Sequence, residues 1–213
     1  MPRTNKEKII DIFLTLYLLD DLYQQKNTSF IGKVKMQKLV FLSEKDMIDQ
    51  REKGFNFDFI RLDYGPYSAE LETDRKKLVA MGYLFNEKLT PTSEAQSLIQ
   101  EFRGLIDRNS TIIAKIRENN SIYGGYSPFA LKIMVHRMPW GAEGKTIHDL
   151  DLTTPMLYTL NPSKAKIKFE ITKGELEDLS MNLEPEICRI LESANNDMRE
   201  GRLVTHEQVF SNL

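Results

Sequence analysis

The chain has 213 residues, 41% hydrophobic and 28% charged, with a formal net charge of −2, so it can bury a core but carries no global field that drives it onto nucleic acid or a membrane. Its single cysteine, Cys188, excludes an intrachain disulfide framework. The longest apolar run near the start, Ile12 to Leu19, is broken by Thr15 and followed by Asp20 and Asp21; a span needs about 20 apolar residues and no stretch has the order of a signal peptide, so a soluble cytoplasmic protein with no membrane partner is expected.

Ile9, Phe13, Leu16, Leu19 and Tyr23 recur at helical steps and predict a first helix, with Asn5 as its cap and Lys8 and Asp11 on its wet face. A second helix carries Met36, Leu39, Val40, Met47 and Ile48 and ends by Gly54. Phe55-Asn56-Phe57-Asp58-Phe59 alternates, which predicts a strand with one buried face. Tyr64-Gly65-Pro66-Tyr67-Ser68 is the sharpest punctuation in the chain, because proline fixes its own φ and restricts the residue before it. Ser68 then caps a helix with Glu70 and Glu72 near its positive end, burying Leu71, Leu78, Val79 and Met81 and ending at Gly82.

Tyr83 to Leu89 reads as a short ribbon, and Thr90-Pro91-Thr92 starts a helix with Ala95, Leu98, Ile99, Phe102 and Ile106. Thr111 to Ile122 is a further helix, Gly124-Gly125 a flexible joint, and Ser127-Pro128 opens a helix through Phe129, Leu131, Ile133, Met134 and Val135, closed by Pro139-Trp140-Gly141. The stretch from Gly141 to Pro162 is loop-like and marks a boundary. Beyond it, Lys166 to Ile171 alternates like a strand, Gly174 to Leu179 is helical, Pro185 opens a helix ended by Gly201, and Thr205 caps a last turn. The expected fold is mainly α with a small β part (α+β): a winged-helix-like helical domain over residues 1–160, then a strand-helix segment over 161–213.

Helix, strand, helix and ribbon is the order of a winged helix-turn-helix, with Leu78 to Thr92 as the end of a recognition helix running into a wing. The larger block is Lys35-Met36-Gln37-Lys38-Leu39-Val40-Phe41-Leu42, Phe59 to Asp63, Tyr64-Gly65-Pro66-Tyr67-Ser68, Glu70-Leu71 and Leu78 to Leu84. It resembles the SocA-like or Panacea-type antitoxin domain and the related YwgA-type bacterial proteins, over roughly the first two thirds of the chain. Tyr67-Ser68 after Tyr64-Gly65-Pro66 favours the YwgA-like branch. The resemblance implies a domain that binds and neutralises a protein toxin encoded nearby. For Tyr64, Gly65, Pro66 and Tyr67 two readings stay open: a turn that holds packed tyrosines, and a direct part in recognition.

The stretch Asp197 to Val209 is similar to the tail of small type II antitoxins, in which a helix ends at glycine and a Ser/Thr-His-Glu-x-Val step follows. That likeness implies a toxin contact through Arg199, Arg202, Val204, His206, Val209, Phe210 and Leu213, with the apolar members forming a strip for a partner groove. A plain chain end is the other reading. Lys166 to Ile171 followed by two helices also resembles a ribbon-helix-helix unit, with Lys166 and Lys168 on the ribbon face.

Basic residues cluster at Lys33, Lys35 and Lys38, at Arg75, Lys76 and Lys77, and at Arg103, Arg108, Lys115 and Arg117. They read either as solvated helix faces or as a phosphate-contacting patch with steep salt dependence. In the DNA reading, Ser68, Arg75, Lys76 and Lys77 contact operator DNA. His136, His148 and His206 lack metal-ligand spacing, and no nucleotide-binding glycine fingerprint or nucleophile elbow occurs. No metal, cofactor or catalysis is therefore expected. The sequence points to an antitoxin of a type II system, with operator DNA and a homodimer as further candidate partners. The alternative is a winged-helix transcriptional regulator without a toxin.

Overall fold

The computed structural model describes residues 3–25, 31–141, 144–184 and 199. Among these there are eight α-helices and two small sheets, so the chain is mainly α with a little β. The helices are α1 (Asn5–Gln24), α2 (Lys33–Asp49), α3 (Ala69–Ala80), α4 (Ser93–Glu101), α5 (Arg103–Arg108), α6 (Ser110–Tyr123), α7 (Pro128–His136) and α8 (Lys173–Leu183). The strands are β1 (Glu52–Lys53), β2 (Phe59–Leu62), β3 (Gly65–Tyr67), β4 (Pro155–Leu157) and β5 (Ile167–Lys168). None of the described helices is long and apolar enough to cross a membrane.

Helix α1 sits at the centre, touching α2, α3, α4, α6 and α8. Its residues Ile9 to Leu19 are all buried, because Ile-Ile-Asp-Ile-Phe-Leu-Thr-Leu-Tyr-Leu-Leu is apolar around nearly the whole circumference. The wet face expected at Asp11 does not exist; Asp11 is fully buried and Lys8 half-buried. The cap is Thr4 and not Asn5: its hydroxyl accepts from the Glu7 N–H while the Glu7 carboxylate accepts from the Thr4 N–H, a reciprocal box.

The alternation at Phe55–Phe59 does not make a strand of that length. Phe55 and Phe57 enter the core, yet the ladder begins only at Phe59. The reason lies in the donors. The Asn56 N–H goes to the Asp11 carboxylate at 2.8 Å and the Phe57 N–H to the Glu44 carboxylate at 3.0 Å. Two buried side chains thus take the bonds that a neighbouring strand would otherwise supply.

β2 turns through Asp63 and Tyr64 into β3, with Leu62 opposite Gly65, and β4 lies antiparallel on its other edge. After α3, the ribbon expected over Tyr83 to Leu89 forms but runs on to Thr92, bridged at Leu84 and Pro91. The helix expected from Thr92 to Ile106 is capped by Thr92 but divides at Phe102 into α4 and α5. Gly124, expected as part of a joint, is pinned: the Lys35 ammonium donates to its carbonyl at 2.5 Å.

Within the stretch expected as loop, β4 and a 3-10 turn at Ile147–Asp149 form. The strand expected over Lys166 to Ile171 shortens to β5, which pairs in parallel with β1, because the backbone of Glu170 is taken at both ends by the Asn109 amide. Beyond residue 160, α8 lies against α1, and Phe169, Leu179 and Leu183 join the same core. The helices expected from Pro185 and Thr205 lie outside the described residues.

Candidate interaction site around the Gly65 turn

The motif block in α2 and the turn at residues 64–68 are joined by three hydrogen bonds. The Gln37 amide donates to the Ser68 carbonyl at 2.9 Å and accepts from the Ser68 N–H at 2.9 Å. One side chain thereby meets both backbone polar groups of a buried residue. The Lys38 ammonium donates to the Pro66 carbonyl at 2.7 Å. The Ser68 hydroxyl then accepts from the Leu71 N–H and caps α3.

Lys35 and Lys38, read from sequence as members of a basic surface cluster, are buried and face backbone carbonyls. Burial pushes the Lys38 ammonium down to about 7, with Lys132 adding repulsion, and burial alone pushes Lys35 down to about 8.

Gly65 has a φ of +89°, in the region that favours glycine. A Cβ there would meet the His136 ring at 3.0 Å and Lys38 Cε at 3.4 Å. The turn is therefore clasped between α2 and α7. His136 is held below its ordinary pKa, first by burial and then by Lys132 and Arg61 nearby.

The outer side of the turn differs. Tyr64 is 60% exposed, and the Lys132 ammonium lies 4.4 Å from its ring centroid. On α7, Leu131 and Val135 point inward, while Phe129, 72% exposed, and Ile133, 37% exposed, point outward. Phe129, Lys132, Ile133 and His136 share one side of the helix by their spacing. The result is an apolar and aromatic face with a single ammonium set into it.

The proposed DNA-contacting set divides. Ser68 is buried as a cap. Arg75 is buried, paired by two hydrogen bonds with Glu72 and bonded to Asn86. Lys76 is exposed and Lys77 half-buried. Gly65 and Pro66 are buried and Tyr67 is half-buried. Of the tail residues only Arg199 is among those described, and it is exposed; Arg202, Val204, His206, Val209, Phe210 and Leu213 lie outside them. In the last basic cluster, Arg108 pairs with Glu175, Lys115 with Glu118 and Arg117 with Asp21.

A second group of polar residues was not anticipated. Arg3 donates to Asp11 and to Asp74 at 2.8 Å each, lies near Glu70, and stacks over the Phe57 ring at 4.7 Å. Burial pushes the Asp11 carboxyl up to about 7 against the pull of Arg3 and the Asn56 amide, and raises Glu44 well above the carboxylate range. This cluster ties α1, α3 and the 54–57 segment together. The sequence signal was there: Asp11 stands between Ile10 and Ile12 in a helix with no polar face to receive it.

Among the described residues no group of three or more histidine, cysteine, aspartate or glutamate side chains is placed to hold a metal ion. No protein-family model matches the chain, and no curated protein matches it in sequence.

Proposed function

We propose that this chain is an antitoxin-like protein that occludes a protein toxin encoded nearby through direct contact, without chemistry, and that the face formed by Tyr64, Phe129, Lys132 and Ile133 belongs to the contact. The observation that carries this reading is that α7, apolar on both sides, leaves two large apolar side chains outside, on the side from which Lys132 meets the exposed Tyr64 ring. Aromatic and apolar anchors with few charges suit a protein partner better than a phosphate backbone. Several cations that would have served nucleic acid point inward or are paired with carboxylates.

The test is co-expression with any small toxin-like reading frame that adjoins the gene. Growth arrested by that frame should be restored by the full chain and not by the double variant Phe129→Asp/Ile133→Asp. A chain ending at Met198 tests the tail in the same assay. If the intact chain restores nothing, the antitoxin reading fails; if the double variant restores growth fully, this face is not the contact.

The regulator reading keeps one specific support, the ribbon that follows α3 as a wing would. It now rests on Lys76 and Lys77. The pair Lys76→Glu/Lys77→Glu should then abolish retention of operator DNA, and unchanged retention would remove that reading.

A further inference from the structure

A second surface lies away from the Gly65 turn. β5 is paired with β1 on one edge and, among the described residues, with no strand on the other. An open groove of about 920 Å³ runs along it, lined by residues 165–172 together with Lys6 and Arg108. Lys6 and Lys168 also line an adjoining, more enclosed pocket of about 300 Å³ whose walls include Ile10, Pro162 and Phe169. The groove and the pocket are neighbours that share Lys6, Lys168 and Phe169 as walls.

The charges in the groove are mostly unopposed. Lys6, Lys166 and Lys168 are exposed and form no ion pair among the described residues, whereas Arg108 is held by Glu175. Lys166 and Lys168 are two apart on an extended segment and so project from one side of it. Ile167 between them is 40% exposed.

We infer that the outer edge of β5 is a docking site for an acidic, extended peptide segment of a partner protein. Such a segment adds to β5 as a strand, sets its carboxylates against Lys6, Lys166 and Lys168, and seats an apolar side chain in the pocket walled by Ile10 and Phe169. Strand addition supplies affinity through main-chain hydrogen bonds, and the alternation of side chains supplies selectivity. Charge complementarity names the occupant as acidic. Nucleic acid fits less well, because Phe169, the aromatic ring lining that groove, is buried and offers no stacking face. The inference uses none of the residues of the α7 face and stands or falls apart from the antitoxin reading.

The experiment is fluorescence anisotropy on the full chain with a labelled peptide of about eight alternating glutamate and valine residues. Saturable binding is expected, weakening with salt, and falling at least about tenfold in Lys166→Glu/Lys168→Glu. The same peptide N-methylated at alternate residues should also bind at least about tenfold more weakly, since it cannot complete the ladder. Backbone amide shifts confined to residues 165–169 would place the peptide on β5. If the acidic peptide does not bind, the lysines only guard an exposed edge against aggregation, and the inference is overturned. It is equally overturned if the lysine variant binds as well as the parent, or if a single-stranded oligonucleotide binds and displaces the peptide. Phe129→Asp/Ile133→Asp should bind the peptide unchanged, which separates failure here from failure of the proposed toxin contact.

Discussion

Helices α2 and α7 meet the turn at Gly65 from two sides and place their side chains in opposite ways. α2 turns Lys35, Gln37, Lys38 and Glu44 inward, and each finds a backbone partner: Gly124, Ser68, Pro66 and Phe57. α7 is the more apolar helix, yet it turns Phe129 and Ile133 outward. Polarity alone does not assign a side chain to inside or outside. Where the backbone is irregular, as at 54–58, 65–68 and 124, its donors and acceptors require partners, and α2 supplies them. No such demand explains the outward face of α7.

The inward polar groups should be costly to remove. The largest effect is expected at Asp11→Ala, which leaves Arg3 with part of its compensation and the Asn56 N–H without an acceptor. Breaking a buried pair from one side costs about 3–5 kcal/mol. Chemical denaturation would measure it. A loss below about 1 kcal/mol would mean that the cluster does not hold α1, α3 and the 54–57 segment together.

Lys38→Met is expected next, and its signature is a slope. The Lys38 ammonium is pushed down to about 7 in the folded chain from 10.5, so between those values the unfolded chain holds a proton that the folded chain has given up. Stability from this site therefore rises as pH rises through that window and is lost as pH falls through about 7. From pH about 7 to about 9 the parent should gain on the order of 2 kcal/mol relative to Lys38→Met. Lys35 titrates with the same sign, but in both proteins, so the difference isolates Lys38. Parallel stability curves would show that the buried ammonium is not perturbed.

Gln37→Leu follows, with an expected cost of about 1–2 kcal/mol, because the leucine fills the space but leaves the buried Ser68 N–H without an acceptor, while the Ser68 carbonyl keeps the Glu72 N–H. The partner change Ser68→Ala keeps the backbone and removes only the cap, for roughly 1 kcal/mol. If the two changes cost the same and add, the Gln37 bonds contribute little to holding the turn.

Much of this arrangement was legible in the residue pattern, and the failures share a cause. The cap at Ser68, the helix starts at Thr90-Pro91-Thr92 and Ser127-Pro128, the turn at Gly65-Pro66 and the ribbon after Gly82 follow from local chemistry, and the structure has them. Asp11, Lys35, Lys38 and Arg75 were read as surface because charge predicts exposure when no partner is in view. For three of them a partner is distant in sequence: Asp11 accepts from Asn56, 45 residues away, Lys38 reaches a carbonyl 28 residues away and Lys35 one 89 residues away, whereas Arg75 pairs with Glu72 on its own helix. The alternation at Phe55–Phe59 correctly marked buried phenylalanines and wrongly implied a neighbouring strand, since carboxylates from α1 and α2 occupy that role. The outward face of α7 was visible in principle. Phe129 and Ile133 are four apart, and Leu131 and Val135 are four apart on the opposite side, so one pair had to lie outside.

The smallest expected effect is the one that most sharpens the contrast. Phe129→Ser should change folding stability by no more than about 0.5 kcal/mol, the usual range for a surface site, because the ring is 72% exposed. A buried phenylalanine reduced this far would cost several times more, about 3–5 kcal/mol. The same denaturation experiment that registers Asp11→Ala therefore reads the opposite answer here: a charged side chain that the fold requires, and an apolar one that it does not. A large loss at Phe129 would mean that the ring is covered within the chain itself, and the α7 face would then be part of the core and not a surface held ready for a partner.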